Sequence, residues 1–257
     1  MTWSTELALF AIGTLASIFG SLVGLGGGFV VIPVLRLFFG IPPAEVAGTS
    51  LVLVLANTAS STIGFWRQKQ IDVRLALPFI AGAVPAGIVG VIAVKQFSAT
   101  GFDVAYGCVL LTLSVLVLRR LRAGHDAKPQ RTFVHNLWVG LAGGVVMGFA
   151  SSVFGIGGGI VMVPLLLIAG RMPPILVSAT SAFIVGITSP IGIVAHALGG
   201  DVDWGVTAPL VLGGIVGGGV APSIARRLSS PILIALLAVA LIAAAAGLIV
   251  RHLPLAR

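Results

Sequence analysis

The sequence predicts an all-α integral membrane protein made of two homologous repeats, each of about four to five helical segments, with glycine-broken hairpins. Three observations carry that reading. Of 257 residues, 58% are hydrophobic and only 9% charged, whereas soluble domains carry about 25% charged residues. A surface this apolar is solvated by lipid. Runs such as 231–250 contain no charge and reach the roughly 20 residues that cross a hydrocarbon core of roughly 30 Å. Finally, the string Gly24-Leu25-Gly26-Gly27-Gly28-Phe29-Val30-Val31-Ile32-Pro33 returns 131 residues later as Gly155-Ile156-Gly157-Gly158-Gly159-Ile160-Val161-Met162-Val163-Pro164. The same shift maps Pro42-Pro43 onto Pro173-Pro174, Thr49-Ser50 onto Thr180-Ser181, Asp72 onto Asp203, Pro78 onto Pro209, Gly82 onto Gly213 and Gly87 onto Gly218. An ungapped match over this distance marks a duplicated unit, the construction of many secondary transporters. A lipid-facing barrel would need alternating polar residues, and these runs are apolar on every side.

Taken in order, the first repeat (1–120) offers apolar segments near 5–23, 26–40, 44–66, 74–95 and 102–119. A basic linker follows at 121–132. The second repeat (133–257) offers 133–153, 157–170, 175–199, 204–224 and 231–250. The first segment has no Lys or Arg ahead of it, as a cleaved signal peptide would, and reads as a retained helix. Residues 5–40 form one apolar stretch. As a single helix it would be about 54 Å long at 1.5 Å per residue, far more than the core's roughly 30 Å. The chain must therefore turn back, and the glycine run is where it can, because glycine tolerates positive φ and weakens a helix by roughly 1 kcal/mol relative to alanine. Pro42-Pro43 and Pro173-Pro174 suit the starts of the next helices. Glu45 falls in such a first turn, where a carboxylate suits the helix dipole.

Parity then turns the second repeat over. One hairpin plus three single spans inverts each half relative to the other. Inversion places Arg67, Lys69, Arg74, the cluster Arg119, Arg120, Arg122, Lys128 and Arg131, and Arg171, Arg226 and Arg227 on one side. Arg36, Lys95, Arg251 and Arg257 fall on the other, a split of 11 against 4. Parallel halves give at best 10 against 5. Lys and Arg collect in the cytoplasm, so inversion with a cytoplasmic linker fits better. The net charge of +8 serves orientation rather than nucleic acid, since no aromatic residues interleave the cluster to stack bases.

The glycine runs are the leading candidates for a substrate site: Gly24, Gly26, Gly27 and Gly28 in one repeat, Gly155, Gly157, Gly158 and Gly159 in the other. The first amides of a helix lack intrahelical partners and carry the positive end of its dipole, and such helix starts bind anions. Two hairpins entering from opposite faces would aim two of them at one point. These glycines also serve close helix packing, and the plain reading is that packing is their whole role. Thr49, Ser50, Thr180 and Ser181 lie about 9 Å into their helices at 1.5 Å per residue. They are read either as ligand contacts or as hydroxyls bonded to their own helix carbonyls. Asn57, Thr188 and Ser189 lie deeper and are read as ligand contacts or helix glue. His196 is expected at the membrane interface, and Arg36 and Arg171, near the hairpin ends, are read as attracting anions or, with more weight, as snorkelling to headgroups. Asp201 and Asp203 are expected outside the membrane without cationic neighbours, and Cys108, the only cysteine, as inert packing.

Other chemistries find no support. Phe29 and Ile160 stand where a G-x-G-x-x-G loop needs its last glycine, and no lysine follows either run to make a phosphate loop. There is no His-Glu-x-x-His pattern, and four scattered histidines (His125, His135, His196 and His252) make no metal site. No enzyme activity and no cofactor are expected.

On the duplicated glycine run with its proline, Pro-Pro and Thr-Ser positions, the chain resembles the TauE/SafE family of sulfite exporters, also called the 4-toluene sulfonate uptake permease family. The resemblance covers nearly the whole chain. It implies a bacterial inner-membrane carrier for sulfite, organosulfonates or other small organic anions, with no catalytic motif to transfer. The expected function is secondary transport of a small anionic substrate by alternating access, within a lipid bilayer and with a proton or sodium as coupling ion. The reading excludes nucleic acid and leaves room for a homo-oligomer. An anion channel and a non-transporting membrane subunit are the rival readings.

Overall fold

The computed structural model describes residues 3–122, 136–228 and 230–250. These form ten helices and, among the described residues, no strand. The first repeat contains α1 (Trp3–Val23), α2 (Gly28–Phe38), α3 (Pro43–Arg67), α4 (Val73–Val94) and α5 (Ala99–Arg122). The second contains α6 (Leu137–Phe154), α7 (Gly159–Pro164, running on into a π-helical turn Leu165–Ala169), α8 (Pro174–Leu198), α9 (Trp204–Ala225) and α10 (Ser230–Val250). Each predicted segment has its helix. Among the described residues α1, α3, α4, α6, α8 and α9 are long and apolar enough to cross a bilayer, which makes this a multi-pass membrane protein. α5 runs on through Arg122, so the helix takes in the start of the predicted linker. Lys128 and Arg131, and with them His125, His135, Arg251, His252 and Arg257, lie outside the described residues.

Local chemistry sets several boundaries. Pro43 and Pro174 open α3 and α8 at positions where a missing N–H costs nothing. The repeated aspartates are helix caps. Asp72 Oδ1 accepts from the Leu75 amide at 3.1 Å, and Asp203 Oδ1 accepts from the Gly205 and Val206 amides at 2.9 and 3.1 Å. Such a cap satisfies donors that the helix cannot.

The two halves of the chain interlock through α4 and α9. α4 packs along α6 and α8 of the other half, and α9 packs along α1 and α3. These seams are built from small residues, which let backbones approach where lipid supplies no hydrophobic drive. Gly140 faces Pro78 and Gly148 faces Ala83, so α4 and α6 run in the same direction. α3 and α8, equivalent in the two repeats, run in opposite directions: Gly48 faces His196, Leu51 faces Gly192 and Thr58 faces Gly186.

Two side chains depart from the sequence reading, and a third is more deeply enclosed than its position along the chain suggests. Arg36 does not snorkel. It is buried, with Nε and Nη2 donating to the two carboxylate oxygens of Asp103 at 2.7 Å each and Nη1 donating to the Ile41 carbonyl at 2.7 Å. The partner lies 67 positions away, beyond any local pattern. Cys108 is exposed rather than packed, on an apolar groove of about 800 Å³ between α5, α6 and α7. Its helix turns that face outward. His196, in the last turn of α8 as expected, is fully buried within the protein, because the loop after the helix folds back over that turn.

Candidate substrate site at the glycine turns

Both glycine runs are reversals. Gly24, Gly26 and Gly27 have φ of 82°, 74° and 84°, and Gly155 and Gly157 have φ of 73° each. Side chains rarely adopt this left-handed region, which is why glycine stands there. Beyond the first turn, α2 runs back beside α1: Gly27 lies against Ala16 and Ser17, and the Phe19 and Phe29 rings stand 6.1 Å apart. In the second, Gly158 lies against Met147 in α6. Residues 20–29 and 151–160 are all buried.

The two reversals meet. A Cβ built on Gly28 would stand 2.7 Å from the Gly155 carbonyl oxygen and 3.0 Å from the Ile156 Cα. Gly159 in turn abuts the Gly24 carbonyl and Leu25. The amides at the start of α2 have no carbonyl four residues back within the helix, and Val30 and Val31 already close on the Gly27 carbonyl. The same holds for Val161 and Met162 on Gly158. The starts of α2 and α7 thus both lie in the buried region where the two reversals meet.

The Thr-Ser pairs stitch the repeats together. Ser50 Oγ donates to the Gly155 carbonyl, and Ser181 Oγ donates to the Gly24 carbonyl, each at 2.7 Å. Thr49 Oγ1 accepts from the Asp203 amide, and Thr180 Oγ1 accepts from the Asp72 amide, each at 3.1 Å. All four bonds cross between the halves, so these hydroxyls do not bond their own helices in the manner of Thr188, which donates to the Ile184 carbonyl at 3.0 Å.

Deeper polar groups flank the reversals on both sides. In α1 and α3, Ser21 Oγ donates to Asn57 Oδ1 at 2.7 Å, while Asn57 Nδ2 and Ser17 Oγ are buried without a hydrogen-bond partner. The corresponding place in the other half is a cavity of about 10 Å³ lined by Ser151, Ser152, Thr188, Ser189 and Gly192, room for about one water. Of the predicted site residues, Thr188 borders this cavity. The glycines cluster at the reversals with Ser50 and Ser181, whereas Thr49 and Thr180 hold the amides that precede α9 and α4, and Asn57 is bonded to Ser21. Sequence reasoning missed Ser21 and Ser152, although the 131-residue shift relates them and would have marked them.

The family model described as "Sulfite exporter TauE/SafE" matches residues 9–248. The chain belongs to the TauE/SafE family. Among its relatives in this family, the "Probable membrane transporter protein YunE" of Bacillus subtilis is 31% identical over 255 residues, covering 91% of this chain and 93% of that protein. A "Probable membrane transporter protein" of Xylella fastidiosa is 29% identical, covering 90% and 88%. The "Sulfite exporter TauE/SafE family protein 3" of Arabidopsis thaliana is 33% identical over 87 residues, covering 34% of this chain and 18% of that protein. No solved structure matches the chain. The chain thus belongs to a family of probable membrane transporters, and its repeated glycine and hydroxyl positions are buried.

Proposed function

We propose that this protein is a secondary transporter of a small anion, sulfite or an organosulfonate, which works by alternating access between two inverted repeats. The observation that carries the reading is the meeting of the glycine reversals. Helix starts from both halves converge on one buried place, where backbone amides favour negative charge. Gly24, Gly26, Gly27, Gly28, Gly155, Gly157, Gly158 and Gly159 allow the anion to approach that backbone. Thr49, Ser50, Thr180, Ser181, Asn57 and Thr188 supply the surrounding polar atoms. The opposite directions of α3 and α8 and the distribution of Lys and Arg support inversion, with the basic linker in the cytoplasm of a bacterial inner membrane. Bonds such as Ser50 to Gly155 cross between halves and are the ones that rocking would exchange.

The test is labelled sulfite uptake into liposomes by the purified protein alone. Gly27→Val and Gly158→Val should abolish uptake. Gly27 is at φ 84°, where valine is strained, so only protein that inserts and elutes as one species is assayed. Asn57→Leu, which removes the unpartnered amide and the acceptor of Ser21 but leaves the reversal's glycines in place, provides an independent variant and should also lower uptake. Normal uptake by all three variants would place the substrate path elsewhere. Counterflow of labelled sulfite separates a carrier from a channel.

A further inference from the structure

The end of α8 holds an arrangement that the anion site does not use. His196 is fully buried, and both of its ring nitrogens face acceptors. Nε2 lies 3.0 Å from the Ser152 carbonyl oxygen, and Nδ1 lies 3.5 Å from Asp201 Oδ2. A neutral imidazole has a single N–H. If Nε2 carries it, as the carbonyl requires, the Nδ1 lone pair confronts a carboxylate oxygen. The contact is satisfied only when one additional proton lies between Nδ1 and Oδ2. Nδ1 is buried and has no hydrogen-bond partner within the protein, and the carboxylate oxygen it faces is buried as well.

We propose that His196 and Asp201 form a proton-binding site that couples proton movement to transport, a role that rests on the transporter reading above. Lys95, at the end of α4, competes for the same oxygen, its Nζ lying 3.1 Å from Asp201 Oδ2. Asp201 is 16% exposed and Lys95 44% exposed, so the site opens to solvent through them. With His196 protonated, Asp201 is shared between two cations; with His196 neutral, Asp201 pairs with Lys95 alone. Glu45 on α3 lies within electrostatic reach of Asp201, and Asp203 at the start of α9 lies within reach of Glu45. Towards the core, Ser152, whose carbonyl faces the ring, also lines the water-sized cavity with Thr188 and Ser189. The path therefore runs from solvent to the interior polar groups.

The device belongs to one repeat. The residue 131 positions before His196 is Phe65, and before Asp201 it is Gln70. The backbone turn is the same in both: the Asp201 amide donates to the His196 carbonyl at 2.9 Å, and the Gln70 amide donates to the Phe65 carbonyl at 3.2 Å. The fold is thus repeated, but the titratable pair is not, so a proton would enter from a single face of the protein.

Two measurements test this on the full chain. In nitrogen-15 spectra of histidine-labelled protein in nanodiscs, His196, assigned by its absence in His196→Gln, should show two N–H protons at about pH 5. Asp201→Asn should remove one of them. A single neutral tautomer from about pH 5 to about pH 8 would overturn the site. In liposomes, sulfite accumulation should depend on an inward proton gradient, and the ratio of uptake with and without the gradient should fall to unity in His196→Gln protein that still elutes as one species. If wild-type protein carries sulfite with no response to the gradient, or responds to sodium alone, the coupling role is wrong while the transporter reading stands. If the two N–H protons appear but wild type carries no sulfite, the proton site holds and the sulfite assignment fails.

Discussion

Replacing Asp103 by alanine should destabilise the protein more than any conservative change in its apolar core. Asp103 is fully buried and Arg36 is 5% exposed. The carboxylate takes two short bonds from the guanidinium. Bonds to charged groups contribute roughly 1.5–3 kcal/mol each, so losing two removes about 3–6 kcal/mol. Measured losses on breaking buried pairs are about 3–5 kcal/mol, because the surviving charge stays buried. At about 2–4 °C per kcal/mol for a chain of this size, the melting midpoint should fall by about 6–20 °C. Loss of the gel-filtration peak after heating in detergent provides the assay. Replacing both residues with apolar ones (Arg36→Met together with Asp103→Leu) should recover most of the loss, since no charge is then stranded. A midpoint for Asp103→Ala within about 2 °C of wild type, less than 1 kcal/mol on that scale, would refute the buried pair. So would a double variant as unstable as the single.

Further outcomes follow from the contacts between halves. Ser50→Ala and Ser181→Ala each strand a buried carbonyl, at about 1–3 kcal/mol, and the two losses should match in a thermal melt because the bonds are equivalent. Gly28→Ala should prevent the reversals from meeting and leave little folded protein by gel filtration, as its new Cβ would press on the Gly155 carbonyl and Ser50 Oγ. Gly40→Ala is the contrast: φ is 65°, but nothing lies within 4 Å of the new carbon, so only backbone strain of about 1 kcal/mol is expected. Asp203→Ala should cost about 1 kcal/mol through loss of the α9 cap, read in the same melt.

Helices and reversals were legible because their causes are local or global, never intermediate. Apolar run length against bilayer thickness predicts every span. The 36-residue stretch ending at Gly40 is too long for one crossing, so its reversal could be placed at Gly24–Gly28. The repeat made Thr49, Ser50, Thr180 and Ser181 conspicuous. Their partners were hidden, since Ser50 bonds a carbonyl 105 residues away and Ser181 one 157 residues away. The same blindness explains Arg36 and Asp201, which look unpaired along the chain and are paired in space with Asp103 and Lys95. The burial of His196 was hidden for a related reason: hydropathy locates the end of a helix, but the burial of its last turn depends on the loop folded over it.

The exchange of fourth helices has a bearing on biosynthesis. α4 finds its principal neighbours in α6 and α8, and α1 finds its own in α9. A ribosome delivers the first repeat before those neighbours exist. The leading half therefore waits in the lipid with its glycine-lined seams unoccupied, and tertiary structure closes only once α9 has been inserted. A chain truncated after α5 would lack the opposing half of every one of those seams.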